Sequence, residues 1–388
     1  MRVLHLTHNY PRFTGDPSGA FIEELVRALP QDEVSAFVLC PHAKGLDEKE
    51  SRNGAVICRF RYAQEDKETL AYEGKMLDAL KRGGKGLRLL ATFIRSFIRE
   101  TRRIVEEEKI DLVHAHWLLP AGVAARIALR SSRLPLVLSS HGTDVRMLNG
   151  LPLGDQLARW VLGRVRIFLP VSGYLGTQLE QRSGMSLPKE ILPMPASEMF
   201  VAPPRRTLAR RVVAVGNLTP QKRFDVLIRA LGKLNERGIT LELTLVGDGQ
   251  ERRTLEILAK EEGVAERVKF LGRRPHHELP GILGNAGVMV LPSVAEGFGM
   301  VLVEAQLAGL AVIGADAGGQ REMIEHGRTG ILVEPDDPHA LACAIENLYN
   351  DEKETLRMAR QGQETAKARF LAAPTAARLA RIYKRILA

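Results

Sequence analysis

The sequence predicts an α/β protein made of two Rossmann-like domains facing across a cleft, and three observations predict it. At 388 residues the chain is long for a single hydrophobic core. Short apolar runs of strand type alternate with helical runs, and they do so in two separate series, the pattern of parallel sheets. Between the series, Leu192-Pro-Met-Pro to Pro203-Pro204-Arg-Arg is proline-rich and aperiodic, and reads as an interdomain linker. The expected domains are therefore residues 1–195 and 205–369.

In chain order, Val3-Leu-His-Leu-Thr is the first strand. After the loop Asn9 to Gly19 the run Ala20 to Leu29 reads as a helix, so the chain starts as a Rossmann unit does. Strands at Val34 to Leu39 and Ala55 to Phe60 follow, then a helical stretch around Glu68 to Leu80. A longer helix is expected from Leu87 to Glu107. Leu87, Leu90, Phe93, Ile94, Phe97, Ile98, Thr101, Ile104 and Val105 share one side of it, and Arg88, Arg95, Arg99 and Arg102 form a separate stripe, led by Lys81, Arg82 and Lys85. A solvated face over a packed core and a membrane-surface helix both fit this pattern.

Three more strands, at Asp111-Leu-Val-His-Ala-His-Trp117, Leu134 to Asp144 and Arg166 to Ser172, each end in polar residues. Helices at Ala121 to Ser131, Asp155 to Leu162 and Leu175 to Arg182 separate them. In a parallel sheet ligands gather at the carboxyl ends of strands, which clusters His116, His141, Asp144 and Ser172. His114 and His116 alternate along their strand and are read as facing opposite sides of it, which argues against a zinc pair. One of these two could be a ligand, and His141 reads, from the residues alone, as a satisfied core histidine.

Beyond the linker, strands are expected at Val212 to Val215, Leu241 to Val246, Val268 to Leu271, Val288 to Leu291, Ala311 to Gly314 and Ile331 to Glu334, with helices between them. The last segment, Thr375 to Leu387, is amphipathic. The stretch Glu296-Gly-Phe-Gly-Met-Val-Leu-Val-Glu304 reads as a tight turn feeding a helix. Gly297 and Gly299 let the backbone turn sharply and offer free helix-start N–H groups to an anion. Eight residues advance a helix by about 12 Å and close to two turns, so both carboxylates can lie on one side. With a diphosphate at the turn, Glu296 would reach a polyol and Glu304 a vicinal diol, the layout of a nucleotide sugar. A capped surface helix with two solvated glutamates is the plainer alternative. Lys222, at a strand-to-helix junction, suits a leaving diphosphate whose charge grows as a bond breaks.

Composition narrows the class. Hydrophobic content of 45% with 26% charged residues is ordinary for a globular protein. No run approaches the roughly 18 to 20 apolar residues of a spanning helix, and the amino terminus lacks a signal-peptide core. A cytoplasmic protein is expected, peripheral on the inner face of the membrane if the basic stretch 81–103 binds anionic lipid. The net charge of +9 favours anionic partners. Residues 51–103 hold thirteen Lys and Arg against six Asp and Glu. Nucleic acid is not expected, because aromatics are only 5% and are not interleaved with the basic stretch. Cys40, Cys58 and Cys343 lack metal-ligand spacing and read as buried free thiols. Asp-x-Asp does not occur in the sequence, so no bridging carboxylates for a metal are visible and no metal site is expected.

Gly216-Asn-Leu-Thr-Pro-Gln-Lys222-Arg-Phe, Val246-Gly-Asp-Gly249, Phe270-Leu-Gly272, Pro292-Ser-Val-Ala-Glu296-Gly-Phe-Gly and Gly318-Gly-Gln-Arg-Glu322 occur in this order. The series resembles the nucleotide-sugar-binding half of the family-4 retaining glycosyltransferases, which have the GT-B fold. The resemblance implies that Glu296 binds hydroxyls of the transferred sugar, that Gly297, Phe298, Gly299 and Met300 surround its phosphate, and that Glu304 holds the ribose. It places the loop from Gly272 through Arg273 to Arg274 against the base. Gly19 would lie close to the donor phosphates and the acceptor, and His116 and Asp144 would lie on the acceptor side. Ser139-Ser-His-Gly-Thr-Asp144 looks like the segment whose histidine, here His141, approaches the transferred sugar. The family's last helix crosses back onto the first domain, which would join 370–388 to 1–195.

Two positions depart from the family pattern. Asn217 stands where an arginine is usual and brings no charge to a donor phosphate, and Arg223 stands where glycine is common and is a candidate substitute for that charge. The implied activity is a retaining, metal-independent hexosyltransferase that uses a UDP- or GDP-linked sugar as substrate, needs no cofactor, and acts on a glycan, lipid-linked or small-molecule acceptor. A disaccharide synthase or phosphorylase of the same fold and a nonenzymatic nucleotide or nucleic-acid binder are the alternatives.

Overall fold

The computed structural model describes residues 1–72, 76 and 84–388. The chain divides into two compact units, Met1–Pro195 with Ala372–Ala388, and Ala196–Leu371.

The first unit is a seven-stranded sheet in the order β3-β4-β2-β1-β5-β6-β7, formed by Arg2–Leu6 (β1), Ser35–Pro41 (β2), Lys49–Arg52 (β3), Ala55–Phe60 (β4), Leu112–His116 (β5), Leu136–Ser140 (β6) and Ile167–Pro170 (β7). All neighbours are parallel except β3 against β4. The parallel strands are mostly apolar and almost wholly buried because helices cover both faces. The edge strand β3, Lys-Glu-Ser-Arg, has no such cover; its polar sequence carries no apolar run from which to expect a strand.

The closing helix Ala372–Leu387 packs on Ala20–Arg27 and contributes Ala376, Leu379, Ile382 and Tyr383 to a core with Val3, Leu25 and Val38. The long basic helix spans Gly84–Glu107 and buries Phe93, Ser96, Phe97, Thr101 and Ile104, with Phe97 stacked on Phe60 at 4.6 Å between centroids. Its apolar side is wider than its buried stripe. Leu90, Ile94, Ile98 and Val105 are half-buried and Leu87 is exposed. The helical stretch expected around Glu68 to Leu80 lies largely outside the described residues, as do Lys81 and Arg82. Its described flank, Glu65–Lys67, is a single 3₁₀ turn.

The second unit is a six-stranded, all-parallel sheet in the order β10-β9-β8-β11-β12-β13, from Arg211–Val215 (β8), Glu242–Val246 (β9), Val268–Phe270 (β10), Val288–Leu291 (β11), Ala311–Ala315 (β12) and Ile331–Val333 (β13). In each sheet the strand order reverses once, at β1/β5 and at β8/β11. Such switch points open a crevice beyond the carboxyl ends of the strands. The proline-rich stretch is not simply a free tether. Phe200 is buried in the second unit, Ala202 N donates to Leu307 O at 3.1 Å, and Gln363 Nε2 donates to Ala202 O at 2.8 Å.

Among the described residues no helix is long and apolar enough to cross a membrane. Cys40 and Cys58 are buried, whereas Cys343 is half-buried, on the outer side of the helix Pro338–Asn350, where Arg237 and His339 border its thiol.

Candidate active site

In the second unit the loops that follow β8, β11 and β12 lock together beyond the switch point. Gln221 Nε2 donates to Ala295 O at 2.6 Å, and Ser293 Oγ donates to Gln221 O at 3.2 Å. From the other side Gly319 N donates to Glu296 O at 2.8 Å, and Gln320 Nε2 to Ser293 O at 2.6 Å. A side chain at Gly319 would place Cβ 2.4 Å from Gly297 O, so the contact needs glycine. The result is a rigid frame around Glu296.

Lys222 Nζ reaches Glu296 Oε2 at 2.5 Å, and each side chain keeps 19% of its surface exposed. Next to this pair Gly299, at φ 87°, ends the loop and starts the helix Met300–Leu307. The left-handed conformation is one that glycine adopts without steric cost, and the turn leaves the first helical N–H groups without intrahelical partners. Six of the eight residues of this helix are buried, which anchors it in the core of the second unit.

Glu304, one turn in, is 4% exposed and its Oε1 lies 2.8 Å from His276 Nε2. His276 is not singled out by the sequence: it opens the short 3₁₀ turn His276–Glu278, just past the Gly272–Arg274 loop, with its ring 5.1 Å from that of Phe200. Gly272, at φ 69°, accepts from Gly247 N at 2.9 Å, and the neighbouring Arg273 is exposed with no ion-pair partner among the described residues.

Three expected donor-side residues need correction in what they can offer. The Phe298 ring is 2% exposed and packs edge-on against Phe370 at 5.9 Å, so its side chain belongs to the core and only its backbone is left for a ligand. Arg223 does not supply the charge that Asn217 lacks, because its guanidinium is tied to Asp225 and Asp336. It does occupy the left-handed region, at φ 52°, which explains why glycine suits this position. Asn217 is exposed, and its side chain has no partner among the described residues.

In the first unit Gly19, at φ 71°, starts the helix Ala20–Arg27. A Cβ there would lie 2.3 Å from Asn9 O, so the loop after β1 closes tightly on it. Asp144 is fully buried and is consumed by its own chain: Oδ1 accepts from Ser140 Oγ and Gly142 N, and Oδ2 from Leu118 N, each at 3.0 Å. Burial raises its carboxyl pKa against these bonds. It clamps the turn after β6 rather than facing an acceptor. Ser172 likewise caps the helix Gly173–Ser183, accepting from Leu175 N at 3.2 Å.

The histidines differ most from expectation. His114 and His116 share a face of β5, because residues two apart on a strand point the same way, and their rings stack at 4.3 Å. His5 on β1 joins them, and the three offer nitrogens within 4.8 Å of one another. All three are fully buried. The geometric argument against a metal therefore fails, but the hydrogen bonding supplies another. His114 already engages Tyr383 Oη at 2.5 Å and Ser139 Oγ at 2.8 Å. His116 engages His5 Nδ1 at 3.1 Å and His141 Nδ1's opposite nitrogen, Nε2, at 3.3 Å. Burial holds all of them neutral: it pushes His5 and His141 down to about 3, and His114 and His116 well below the usual range. His116 thus touches no open surface and can reach a ligand only through His141.

The sequence matches two family descriptions, Glycosyltransferase Family 4 over residues 18–193 and Glycosyl transferases group 1 over 198–365. A GDP-mannose-dependent alpha-(1-6)-phosphatidylinositol monomannoside mannosyltransferase of Mycobacterium tuberculosis is 30% identical over 303 residues, 72% of this chain and 77% of the relative. A D-inositol 3-phosphate glycosyltransferase of Corynebacterium glutamicum is 29% identical over 327 residues, 77% of each. Among solved structures, the sucrose-phosphate synthase of Thermosynechococcus elongatus superposes with a TM-score of 0.77 at 20% identity, covering 99% of this chain and 98% of that one. HepE of Anabaena in complex with UDP-glucose gives 0.71 at 20% identity, covering 99% and 100%. These likenesses show the GT-B fold.

Proposed function

The chain belongs to the family 4 glycosyltransferases, and from that membership we propose a retaining, metal-independent transfer of a sugar from a UDP- or GDP-linked donor to a hydroxyl of a lipid-linked, glycan or small polyol acceptor. The observation that carries the donor half is the Lys222–Glu296 pair framed at the glycine-started helix. Without ligand the two groups neutralise each other. A bound nucleotide sugar offers each a better partner: diphosphate oxygens for the Lys222 ammonium and sugar hydroxyls for the Glu296 carboxylate.

As the glycosidic bond breaks, negative charge grows on the departing diphosphate, where Lys222 and the free amides at Gly299 and Met300 stabilise it. The departing phosphate takes the acceptor's proton on the same face, so no protein nucleophile is called for. Glu304, steadied by His276, suits the ribose diol. The names of the relatives favour an acceptor that carries a phosphorylated inositol, which accords with the chain's net charge of +9. Exposed Arg88 and Arg95 beside the uncovered Leu87 on the helix Gly84–Glu107 form a surface for anionic lipid headgroups.

The test is nucleotide release from a panel of UDP-, GDP- and ADP-sugars in EDTA, comparing the native chain with Glu296→Ala. Release from one donor that the substitution abolishes is expected. Release only on adding a divalent metal would refute the metal-free reading. No release from any donor, even with a lipid extract, would favour a phosphorylase or a nonenzymatic binder.

A further inference from the structure

A continuous hydrogen-bonded row of imidazoles runs from the core of the first unit to His141 at the carboxyl end of β6. His5 Nδ1 meets His116 Nε2 at 3.1 Å, and His116 Nδ1 meets His141 Nε2 at 3.3 Å. The His116 and His141 rings stack at 5.5 Å with planes 15° apart, and Trp117 and Phe21 hold the His141 ring at 4.7 and 4.8 Å. The two ends of the row, His5 Nε2 and His141 Nδ1, have no hydrogen-bond partner among the described residues.

A neutral imidazole carries one proton, so the row has two self-consistent arrangements. In one, every proton points toward His141: His5 Nδ1–H donates to His116 Nε2, His116 Nδ1–H donates to His141 Nε2, and His141 carries its own proton on Nδ1. In the other, every bond reverses, His141 Nδ1 is bare, and His5 Nε2 carries a proton. Each arrangement leaves one N–H unpaired, and they differ in where. Both end nitrogens are buried, but His5 lies wholly within the core, whereas His141 as a residue is only half-buried, at the carboxyl end of β6. An orphaned buried N–H is rarer and costlier than a bare acceptor, so the unpaired proton belongs at the end where an incoming oxygen can accept it.

We propose that His5 and His116 are positioning residues that hold the His141 imidazole as the Nδ1-protonated tautomer, so that it presents a hydrogen-bond donor, and not a base, to an oxygen of a bound nucleotide sugar. The ligand half rests on the function proposed above; the tautomer half does not. The assignment agrees with a transfer in which the departing phosphate, rather than a side chain, collects the acceptor's proton.

Selective ¹⁵N labelling of histidine in the full chain tests it, since ring-nitrogen shifts separate protonated from bare nitrogens. His5→Phe and His141→Phe serve to assign the signals. The expected result is a proton on Nδ1 of His5, His116 and His141, and a shift of the His141 Nδ1 signal on adding UDP-glucose or GDP-mannose. A bare His141 Nδ1 overturns the proposal whether or not any donor is turned over. No shift with either donor overturns its ligand half.

A pair of variants separates positioning from packing. His116→Asn keeps an amide donor near the place of Nδ1, whereas His116→Gln moves it toward the place of Nε2. Donor turnover should fall about tenfold further in the glutamine variant, the worth of roughly one hydrogen bond, with KM for the donor changing much less. Equal losses would assign His116 a packing role only. If neither variant folds, the tautomer spectrum of the native chain still decides.

Discussion

Lys222 Nζ and Glu296 Oε2 sit 2.5 Å apart across two loops that are 74 residues apart in sequence, and they join the ends of β8 and β11. Each charge is kept in place by the other and by the glutamine and glycine contacts beneath it. Replacing Lys222 with Ala removes the positive charge nearest the expected leaving group, and donor turnover should fall on the order of a hundredfold. Lys222→Arg should recover part of that loss. Single-turnover nucleotide release checks both, and equal rates for Lys222→Ala and the native chain would remove Lys222 from the chemistry.

His276 makes a second prediction of a different kind. Its Nε2 lies 2.8 Å from Glu304 Oε1, and Glu304 is otherwise buried. His276→Ala frees that carboxylate to turn away from a diol. KM for the nucleotide sugar should rise about tenfold, near the value of one hydrogen bond, while kcat changes little. A 2′-deoxyribonucleotide donor should show a smaller difference between the two proteins.

These two residues mark what was legible. The alternation of apolar runs revealed both sheets, since a parallel strand buried on both faces has to be apolar. The Gly297 to Gly299 turn was visible because a helix start at φ 87° asks for glycine. Lys222 and Glu296 came from their motifs, but their contact depends on Gln221, Gly319 and Gln320 folding the loops together. His276 carries no local signal, and its role exists only because Phe200 and Glu304 meet it in space. The inward turn of Asp144 and the burial of the Phe298 ring likewise follow from packing that no short pattern records. For His114 and His116 the reason is simpler: a spacing of two on a strand puts residues on one face, not on opposite ones. Their partner His5 is more than a hundred residues away in sequence.

The glycine contacts predict a local stability effect. Gly319→Ala places Cβ 2.4 Å from Gly297 O and must push the two loops apart. A loss of more than about 2 kcal/mol is expected, together with loss of donor turnover. Gly281→Ala, where nothing lies within 4 Å of the added Cβ, is the control, and should be neutral or slightly stabilising because it lies in the helix Leu279–Gly284. Thermal unfolding of both variants checks the contrast.

Buried neutral histidines make the first unit sensitive to acid. Burial lowers the pKa of His5, His114 and His116 below the ordinary 6.5, so the unfolded chain binds more protons than the folded one below that pH. Stability is then full above about 6.5 and falls as pH drops. One unit lower, each such group costs on the order of 1 kcal/mol. Asp144, whose pKa burial raises, acts in the opposite sense and only nearer its ordinary 3.8. His5→Phe should flatten the slope by one proton's worth between pH 7 and 5.5. Denaturant midpoints across that range measure it, and an unchanged slope would count against a neutral His5.

The arginine stripe divides by what each side chain already touches. The Arg102 guanidinium donates to Ile127 O at 3.1 Å and Ala128 O at 3.3 Å, the last carbonyls of the helix Val123–Ala128, and Arg99 pairs with Glu100 at 3.0 Å. Arg88 and Arg95 are exposed and have no partner among the described residues, on the same helix as exposed Leu87. Of the four arginines in the stripe, these two are the ones whose charges have no partner among the described residues. Arg88→Gln with Arg95→Gln should weaken co-sedimentation with vesicles containing phosphatidylserine, by about 1 kcal/mol for each charge near the surface. Arg102→Gln should leave binding nearly unchanged and lower the unfolding temperature instead. If Arg102→Gln weakened vesicle binding as much as the double variant, the helix would bind lipid by net charge alone, and the division between structural and lipid-facing arginines would fall.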